Sequence, residues 1–179
     1  MTQSAPPPQR PRGFETAGDM VRSLAVVLAI VLAVVFLSQP RSGRIERPVD
    51  VAGATEDAAA AGLPVRVPEV PEGWEPNGAR FSPDTTEGLP TWHVGYVTAS
   101  GGYAGVDVTR GATPRWVGGV TGEAREDGTR SIEGTTWRQL VGGDPERVSL
   151  VLEEDAATTV VTGSAPLDEL DQLAAAVSG

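Results

Sequence analysis

The sequence predicts an α+β protein in which an N-terminal transmembrane helix precedes a small antiparallel sheet of about five to six strands covered by a C-terminal helix. Three observations predict this fold class. A long apolar run lies near the N-terminus, short alternating segments bounded by proline and glycine fill most of the remaining chain, and an amphipathic helix closes it. With 179 residues, the chain has room for one domain, which we predict over residues 63–179.

The apolar run extends from Leu24 to Leu37 and contains fourteen residues, of which eleven are Leu, Ile, Val or Phe. The 18 residues between Arg22 and Arg41 carry no charge, and as a helix they would span about 27 Å, close to the hydrocarbon thickness of a bilayer. A buried core helix would need a larger core than this chain can build. A cleaved signal peptide would need an Ala-x-Ala type of exit, which residues 36–40 lack. We therefore predict a retained single-pass anchor over residues 23–40, embedded in the lipid bilayer.

The segments on either side of the anchor are polar. Residues 1–22 contain four prolines and are predicted to be a disordered tail, and residues 41–62 are predicted to be a flexible linker. Three arginines precede the apolar run and three follow it before residue 48, so the positive-inside rule leaves the orientation open. We expect a cytoplasmic N-terminus and an extracytoplasmic C-terminal domain, because signal-anchors with short tails commonly export the segment that follows them.

The charge of the chain is unevenly divided. Residues 1–47 carry six Arg and three acidic residues, a charge of +3, whereas residues 48–179 carry eight Arg and 21 acidic residues, a charge of −13. The sum is the formal net charge of −10. An acidic domain repels nucleic acid and anionic lipid headgroups, so we expect no nucleic-acid partner. The chain has no Cys, which excludes disulfides and thiolate chemistry, and its basic residues are all Arg, which suggests a high-GC bacterial genome.

Short β segments dominate the predicted domain. The segments 92–97 and 103–109 are predicted to form a hairpin, and the alternation of the first places Trp92, Val94 and Tyr96 on one face of the sheet. Further strands are predicted over residues 65–67, 135–141, 147–152 and 158–162, the last three as an antiparallel meander. Residues 113–120 are ambiguous and are interpreted as a short helix.

The best helix signal closes the chain. Pro166 suits the first helical position, Ser164 is interpreted as a cap, and acidic residues follow in the first turn. One apolar stripe at helical spacing contains Leu167, Leu170, Leu173, Ala174 and Val177. We expect this stripe to cover one face of the sheet, which gives a two-layer α+β sandwich.

Several short motifs occur in an order that resembles a known family. They are the anchor led by residues 19–24, Val67-Pro68, Pro71-x-Gly73-Trp74, Trp92-His93-Val94-Gly95-Tyr96, Tyr103, the pair Gly134 and Trp137, and the closing residues 161–165. Together they resemble the bacterial family filed as domain of unknown function 4245, over roughly residues 18–177. The resemblance implies a single-pass membrane protein of high-GC Gram-positive bacteria and brings no established activity or catalytic residue.

No motif in the sequence specifies a chemistry, so we predict no catalytic residue, no metal site and no cofactor. His93 is the only His, which excludes a site with two His ligands. The acidic run at residues 153–155 matches no calcium loop, and the glycines at 101, 102 and 105 lack the Lys and the following helix of a phosphate loop.

Six aromatic residues are the candidate ligand-binding set, as the possible lining of an apolar or glycan-binding groove. They are Trp74, Trp92, Tyr96, Tyr103, Trp116 and Trp137. Packing in the core is the competing interpretation of the tryptophans.

The leading functional hypothesis is a non-enzymatic, membrane-anchored domain that binds a protein partner in the cell envelope. The alternative is a binder of an envelope lipid or glycan through the aromatic residues. A weaker alternative is an extracytoplasmic hydrolase, which would require acidic residues such as Asp107 and Glu133 to converge.

Overall fold

The structure is a computed structural model that describes residues 20–22, 24–31, 48–85, 87–143 and 147–178. The chain divides into two compact units, Met1–Glu46 and Arg47–Gly179. In the first unit, residues 20–22 and 24–31 are helical, and their larger apolar side chains are 50–74% exposed. Within the described ranges, no helix has both the length and the apolar character needed to cross a membrane. Residues 23 and 32–40 of the predicted anchor, most of the tail and the first part of the linker lie outside the described residues.

The second unit is an antiparallel sheet of seven strands with helices on both faces. In chain order its elements are α1 (Val51–Ala60), β1 (Glu75–Ser82), β2 (Thr91–Val97), β3 (Tyr103–Thr109), α2 (Pro114–Thr121), β4 (Arg125–Ile132), β5 (Thr135–Gly142), β6 (Arg147–Glu153), β7 (Thr158–Gly163) and α3 (Leu167–Ser178). The strands lie in the order β1-β2-β3-β7-β6-β5-β4. The predicted hairpin of β2 with β3 and the meander of β5, β6 and β7 are both confirmed.

The sheet has seven strands, whereas the sequence predicted five to six. The prediction missed the two edge strands because their sequences carry little strand signal. β1 contains Pro76 and a register shift next to it, and β4 contains a register shift at Asp127-Gly128, which the sequence suggests is a turn. Neither face of the two edge strands is deeply buried along its length, so their residues need not alternate between polar and apolar. The strand predicted over residues 65–67 is not formed; this segment connects α1 to β1.

Helix α1 corrects the predicted linker over residues 41–62. The side chain of Asp50 caps the helix by accepting a hydrogen bond from the Gly53 amide at 2.8 Å, and Ala58 is fully buried in the main core. The buried residues of α1 are the small Thr55 and Ala58. Small side chains bury little apolar area, so the sequence gives no clear apolar stripe at this position.

Helices cover both faces of the sheet, so the predicted two-layer sandwich is incomplete. Face A, which carries Trp92, Val106 and Leu150, packs against α1 and α3. Face B, which carries Val151 and Val160, packs against α2. The stripe of α3 is buried as predicted at Leu170, Leu173 and Ala174. The proposed Ser164 cap is wrong, because its hydroxyl accepts a hydrogen bond from the Tyr103 amide instead.

Candidate functional site

The six aromatic residues that we expected to share a groove are divided between the two faces of the sheet. Trp74, Trp92, Tyr96 and Trp137 belong to the core on face A and are at most 8% exposed. Trp116 is 5% exposed and belongs to the core on face B, where Tyr103 lies half-buried. The sheet separates the two groups, and packing has removed the tryptophans from solvent. This arrangement argues against a common aromatic platform for a lipid or glycan.

Tyr103 lies across two glycines that face each other on β2 and β3. Gly95 and Gly105 are register partners, and a Cβ atom at Gly105 would lie 2.4 Å from the Tyr103 hydroxyl oxygen. At Gly95 the corresponding distance is 2.8 Å. Only a residue without a side chain therefore fits beneath the ring at either position. Burial, together with the negative charge of Asp107, raises the pKa of Tyr103, and the positive charges of Arg80 and Arg147 act in the opposite direction.

The hydroxyl of Tyr103 ends a chain of three polar side chains. His93 Nδ1 and Asp107 Oδ1 are 2.9 Å apart, and the Tyr103 hydroxyl lies 3.4 Å from His93 Nε2. Because an ionised carboxylate can only accept, His93 donates from Nδ1, and in the neutral imidazole Nε2 accepts from Tyr103. The side chains of His93 and Asp107 are 13% and 9% exposed. The network thus satisfies its own buried groups and fixes the tyrosine over the glycines.

The predicted hairpin of residues 92–97 and 103–109 is sufficient to predict that His93 and Asp107 lie next to each other. With residues 98–102 as the turn, position 93 lies opposite position 107, and residues opposite each other in an antiparallel pair share a face. The other predicted acidic pair does not converge. Asp107 lies on β3 and Glu133 in the turn after β4, four strand spacings away, or about 19 Å. The arrangement required by the hydrolase hypothesis is therefore not formed by these two residues.

A groove of about 650 Å³ lies on face B between α2 and strands β4 to β7. We call it the α2 groove. Its apolar wall includes Val117 and Leu140, and its charged groups are three carboxylates and one guanidinium: Glu123, Glu126, Glu153 and Arg138. Arg138 Nη2 lies 2.6 Å from Glu153 Oε1, and its Nη1 lies 3.8 Å from Glu126 Oε2. Among the described lining residues, Arg138 is the one cation, and it is thus already paired at the Glu153 side.

Helix α2 forms one wall of the groove and is held by its own cap and by one tryptophan. Thr113 accepts a hydrogen bond from the Trp116 amide at 3.0 Å, and Pro114 occupies the first helical turn. The indole of Trp116 donates to the Thr91 hydroxyl at 3.2 Å. The position of the helix on the sheet is therefore fixed, although Gly118 and Gly119 lie in its interior, where glycine is unfavourable.

Glu123 has an unusual backbone for its residue type. Its φ is 58°, in the left-handed region, and it follows Gly122, the left-handed C-cap of α2. Its amide donates to the Gly118 carbonyl at 2.8 Å, and its carboxylate lies so close to Gly118 that a Cβ there would be 2.8 Å from one oxygen. Among the described residues, nothing forms a hydrogen bond or an ion pair with this carboxylate.

The placement of Glu123 works against local stability in three ways. A residue with a side chain costs roughly 1–2 kcal/mol in the left-handed region. The glycine that makes room for the carboxylate weakens α2 by about 0.5–1 kcal/mol relative to Ala. The carboxylate also lies at the C-terminal, negative end of the helix dipole. Strained backbone positions are enriched at binding and active sites, which makes Glu123 a candidate for contact with a ligand.

Comparison with known proteins supports the family resemblance of the sequence motifs and assigns no activity. The model of the family described as Protein of unknown function (DUF4245) matches residues 12–177, which confirms the resemblance in the sequence. No curated protein matches the chain.

Proposed function

The chain belongs to the DUF4245 family, whose function is unknown, and from its own geometry we propose that it is a membrane-anchored module of the cell envelope whose α2 groove binds a protein partner. The observation that carries the proposal is the groove itself. It combines an apolar wall, a rim of carboxylates and a strained Glu123 in one cavity of about 650 Å³. Binding sites on proteins commonly combine these properties.

The remaining surface of the domain favours the α2 groove over other modes of peptide binding. A partner that adds a strand needs a flat, open sheet edge, and both edges here are irregular. The register of β1 shifts between Pro76 and Gly78, and that of β4 shifts between Glu126 and Thr129. Face A is covered by α1 and α3. A groove beside α2 is therefore the better candidate for contact with another protein.

Membrane attachment is supported by the apolar side chains near the N-terminus. Val26, Leu28 and Ile30 lie in the helical residues of the first unit and are 56–59% exposed. The uncharged sequence that contains them continues to residue 40. A bilayer would remove this surface from water, and each large apolar residue favours insertion by about 0.3–0.6 kcal/mol. In this proposal the N-terminus is cytoplasmic and the domain with the α2 groove is extracytoplasmic.

Site-specific photocrosslinking in native membranes tests the binding role of the groove. A photoreactive residue at Pro114 would stand at the first turn of α2, where this exposed position lines the groove. The matched control is the same photoreactive residue at Val67, which is 47% exposed and lies between α1 and β1. We expect one envelope protein to be crosslinked from Pro114 and not from Val67. Identical adducts from both positions, or none from Pro114, would contradict the proposal.

A further inference from the structure

The charges of the α2 groove indicate what kind of partner it fits. Its three carboxylates and one guanidinium give a formal charge of −2, within a domain whose charge is −13 over residues 48–179. Arg138 is engaged by Glu153 at 2.6 Å, so it compensates one end of the groove. Among the residues that the structure describes, the Glu123 carboxylate forms no ion pair. The uncompensated carboxylate of the groove is therefore the one beside α2.

The acidic groups of the groove are not arranged to hold a metal ion. A hard divalent cation would need six to eight oxygen ligands, of which carboxylates commonly supply several. Across the described ranges, no three His, Cys, Asp or Glu side chains lie close enough together to hold a metal. An extended organic cation differs in this respect, because it can contact separate carboxylates with its charged end and an apolar wall with its stem.

We propose that the partner segment that enters the α2 groove is basic, and that one of its Arg or Lys side chains pairs with Glu123. This inference rests on the proposed binding role of the groove and specifies its occupant. The aliphatic stem of the basic side chain packs against Val117 and Leu140, which form the apolar wall. Its charge removes the unfavourable interaction of Glu123 with the negative end of α2. The strained backbone at Glu123 places the carboxylate where such a side chain reaches it.

Glu133 offers a matched control for Glu123. It is the other residue besides glycine that has a positive φ among the described residues, 47°, and it lies in the β4–β5 turn, outside the groove. Glu123→Gln and Glu133→Gln each remove one negative charge from a left-handed position. They therefore change the net charge and the turn chemistry equally. A difference between the two variants reports the local role of Glu123.

The test uses the full-length protein in phosphatidylcholine vesicles and two labelled peptides, one of alternating glycine and arginine and one of alternating glycine and glutamate. Binding is followed by fluorescence anisotropy. We expect the basic peptide to bind and the acidic peptide not to bind. Raising the salt from about 0.1 M to about 1 M, which shortens the Debye length from about 10 Å to about 3 Å, should weaken binding several-fold. Glu123→Gln should weaken it by about threefold to fivefold, as expected for the loss of one partly exposed charge pair, and Glu133→Gln should leave it unchanged.

Two results would overturn this inference: an equal effect of Glu123→Gln and Glu133→Gln, or equal binding of the two peptides. Equal effects of the two variants would mean that the peptide is attracted by the overall charge of the domain and not by Glu123. Equal binding of the two peptides would mean that the groove has no preference for a basic segment. Either result leaves the photocrosslinking from Pro114 unaffected, so the proposed binding role can stand while the basic partner fails. An absence of crosslinks from Pro114 would instead remove the binding role itself.

Discussion

The paired glycines of α2 allow helix stability and groove function to be separated by two conservative substitutions. Gly118 and Gly119 are neighbours in the interior of the same short helix. A Cβ at Gly119 meets no atom within 4 Å, whereas a Cβ at Gly118 would lie 2.8 Å and 3.0 Å from the two carboxylate oxygens of Glu123. Gly119→Ala therefore changes the helix alone. Gly118→Ala changes the helix and displaces the carboxylate.

The expected gain in stability follows from the backbone entropy of glycine. Ala in place of Gly in a helix interior stabilises by about 0.5–1 kcal/mol. For a domain of this size, this corresponds to an increase in Tm of about 2–4 °C. The atoms that Gly118→Ala would contact belong to the end of a flexible side chain, which can swing away. We therefore expect both variants to be at least as stable as the wild type.

The two variants should differ in binding. With Gly118→Ala, Glu123 leaves its position beside α2, and the affinity for the glycine–arginine peptide should fall by about threefold to fivefold, as for loss of the carboxylate. With Gly119→Ala, the affinity should stay at the wild-type value. Thermal unfolding followed by the fluorescence of the buried tryptophans reports stability, and peptide anisotropy reports binding. If Gly118→Ala binds the peptide as well as Gly119→Ala does, the position of the Glu123 carboxylate has no role in the groove and the reasoning fails.

Three further predictions concern the sheet and the membrane. Gly105→Ala should destabilise the domain by about 1–3 kcal/mol in urea unfolding, because its Cβ would overlap the Tyr103 hydroxyl, whereas Gly78→Ala, with no atom within 4 Å, should not; equal effects would contradict the packing of Tyr103. The pKa of Tyr103 is raised above 10.0, so the folded state holds this proton more tightly than the unfolded state, and the free energy of unfolding should fall as the pH rises through about 10. Tyr103→Phe should make that fall smaller in urea unfolding at several pH values, and an unchanged pH dependence would refute the role of Tyr103. Since the chain has no Cys, Ala156→Cys and Ser4→Cys report topology: a membrane-impermeant maleimide should label the first and not the second in intact cells, and the reverse pattern would invert the predicted orientation.

The parts of the fold that the sequence predicts well are those in which one side of an element is buried. Strands β2 and β3 alternate because Trp92 and Val106 face one core while His93 and Asp107 face the other side. Helix α3 has a stripe of large residues, so its packing face can be read at the 3.6-residue period. In both cases the spacing of the apolar residues predicts the type of element and the face that it buries.

The elements that the sequence does not predict lack this periodic signal. The residues of the edge strand β1 are exposed or half-buried without alternation, since the register of the strand shifts next to Pro76. Helix α1 buries Thr55 and Ala58, whose small side chains look like those of a linker. Residue type alone also does not separate a buried tryptophan from an exposed one. The sequence therefore could not show that the six aromatic residues pack on two opposite faces of the sheet instead of lining one groove.

The α2 groove is harder to infer from sequence, because its residues come from α2, the segments on either side of it and four strands that extend to residue 158. The local signal for it is limited to the adjacent glycines Gly118 and Gly119 and the Gly122-Glu123 pair. These residues predict a weak helix and its end. They do not predict that the carboxylate of Glu123 lies back over Gly118, because this depends on a left-handed φ at a residue that seldom adopts it.

The position of β7 has a consequence for the order in which the domain folds during synthesis. β7 is buried along its whole length and joins β3 to β6 in the middle of the sheet, yet it is the last strand to be made. Its pairs with β3, such as Val106 with Val161, join residues that are distant along the chain, and such contacts form slowly. A chain that ends before residue 158 holds two separate groups of three strands, each with an open inner edge. Folding is therefore completed only after nearly the whole chain has emerged, which is compatible with the proposed export of the domain as an unfolded polypeptide.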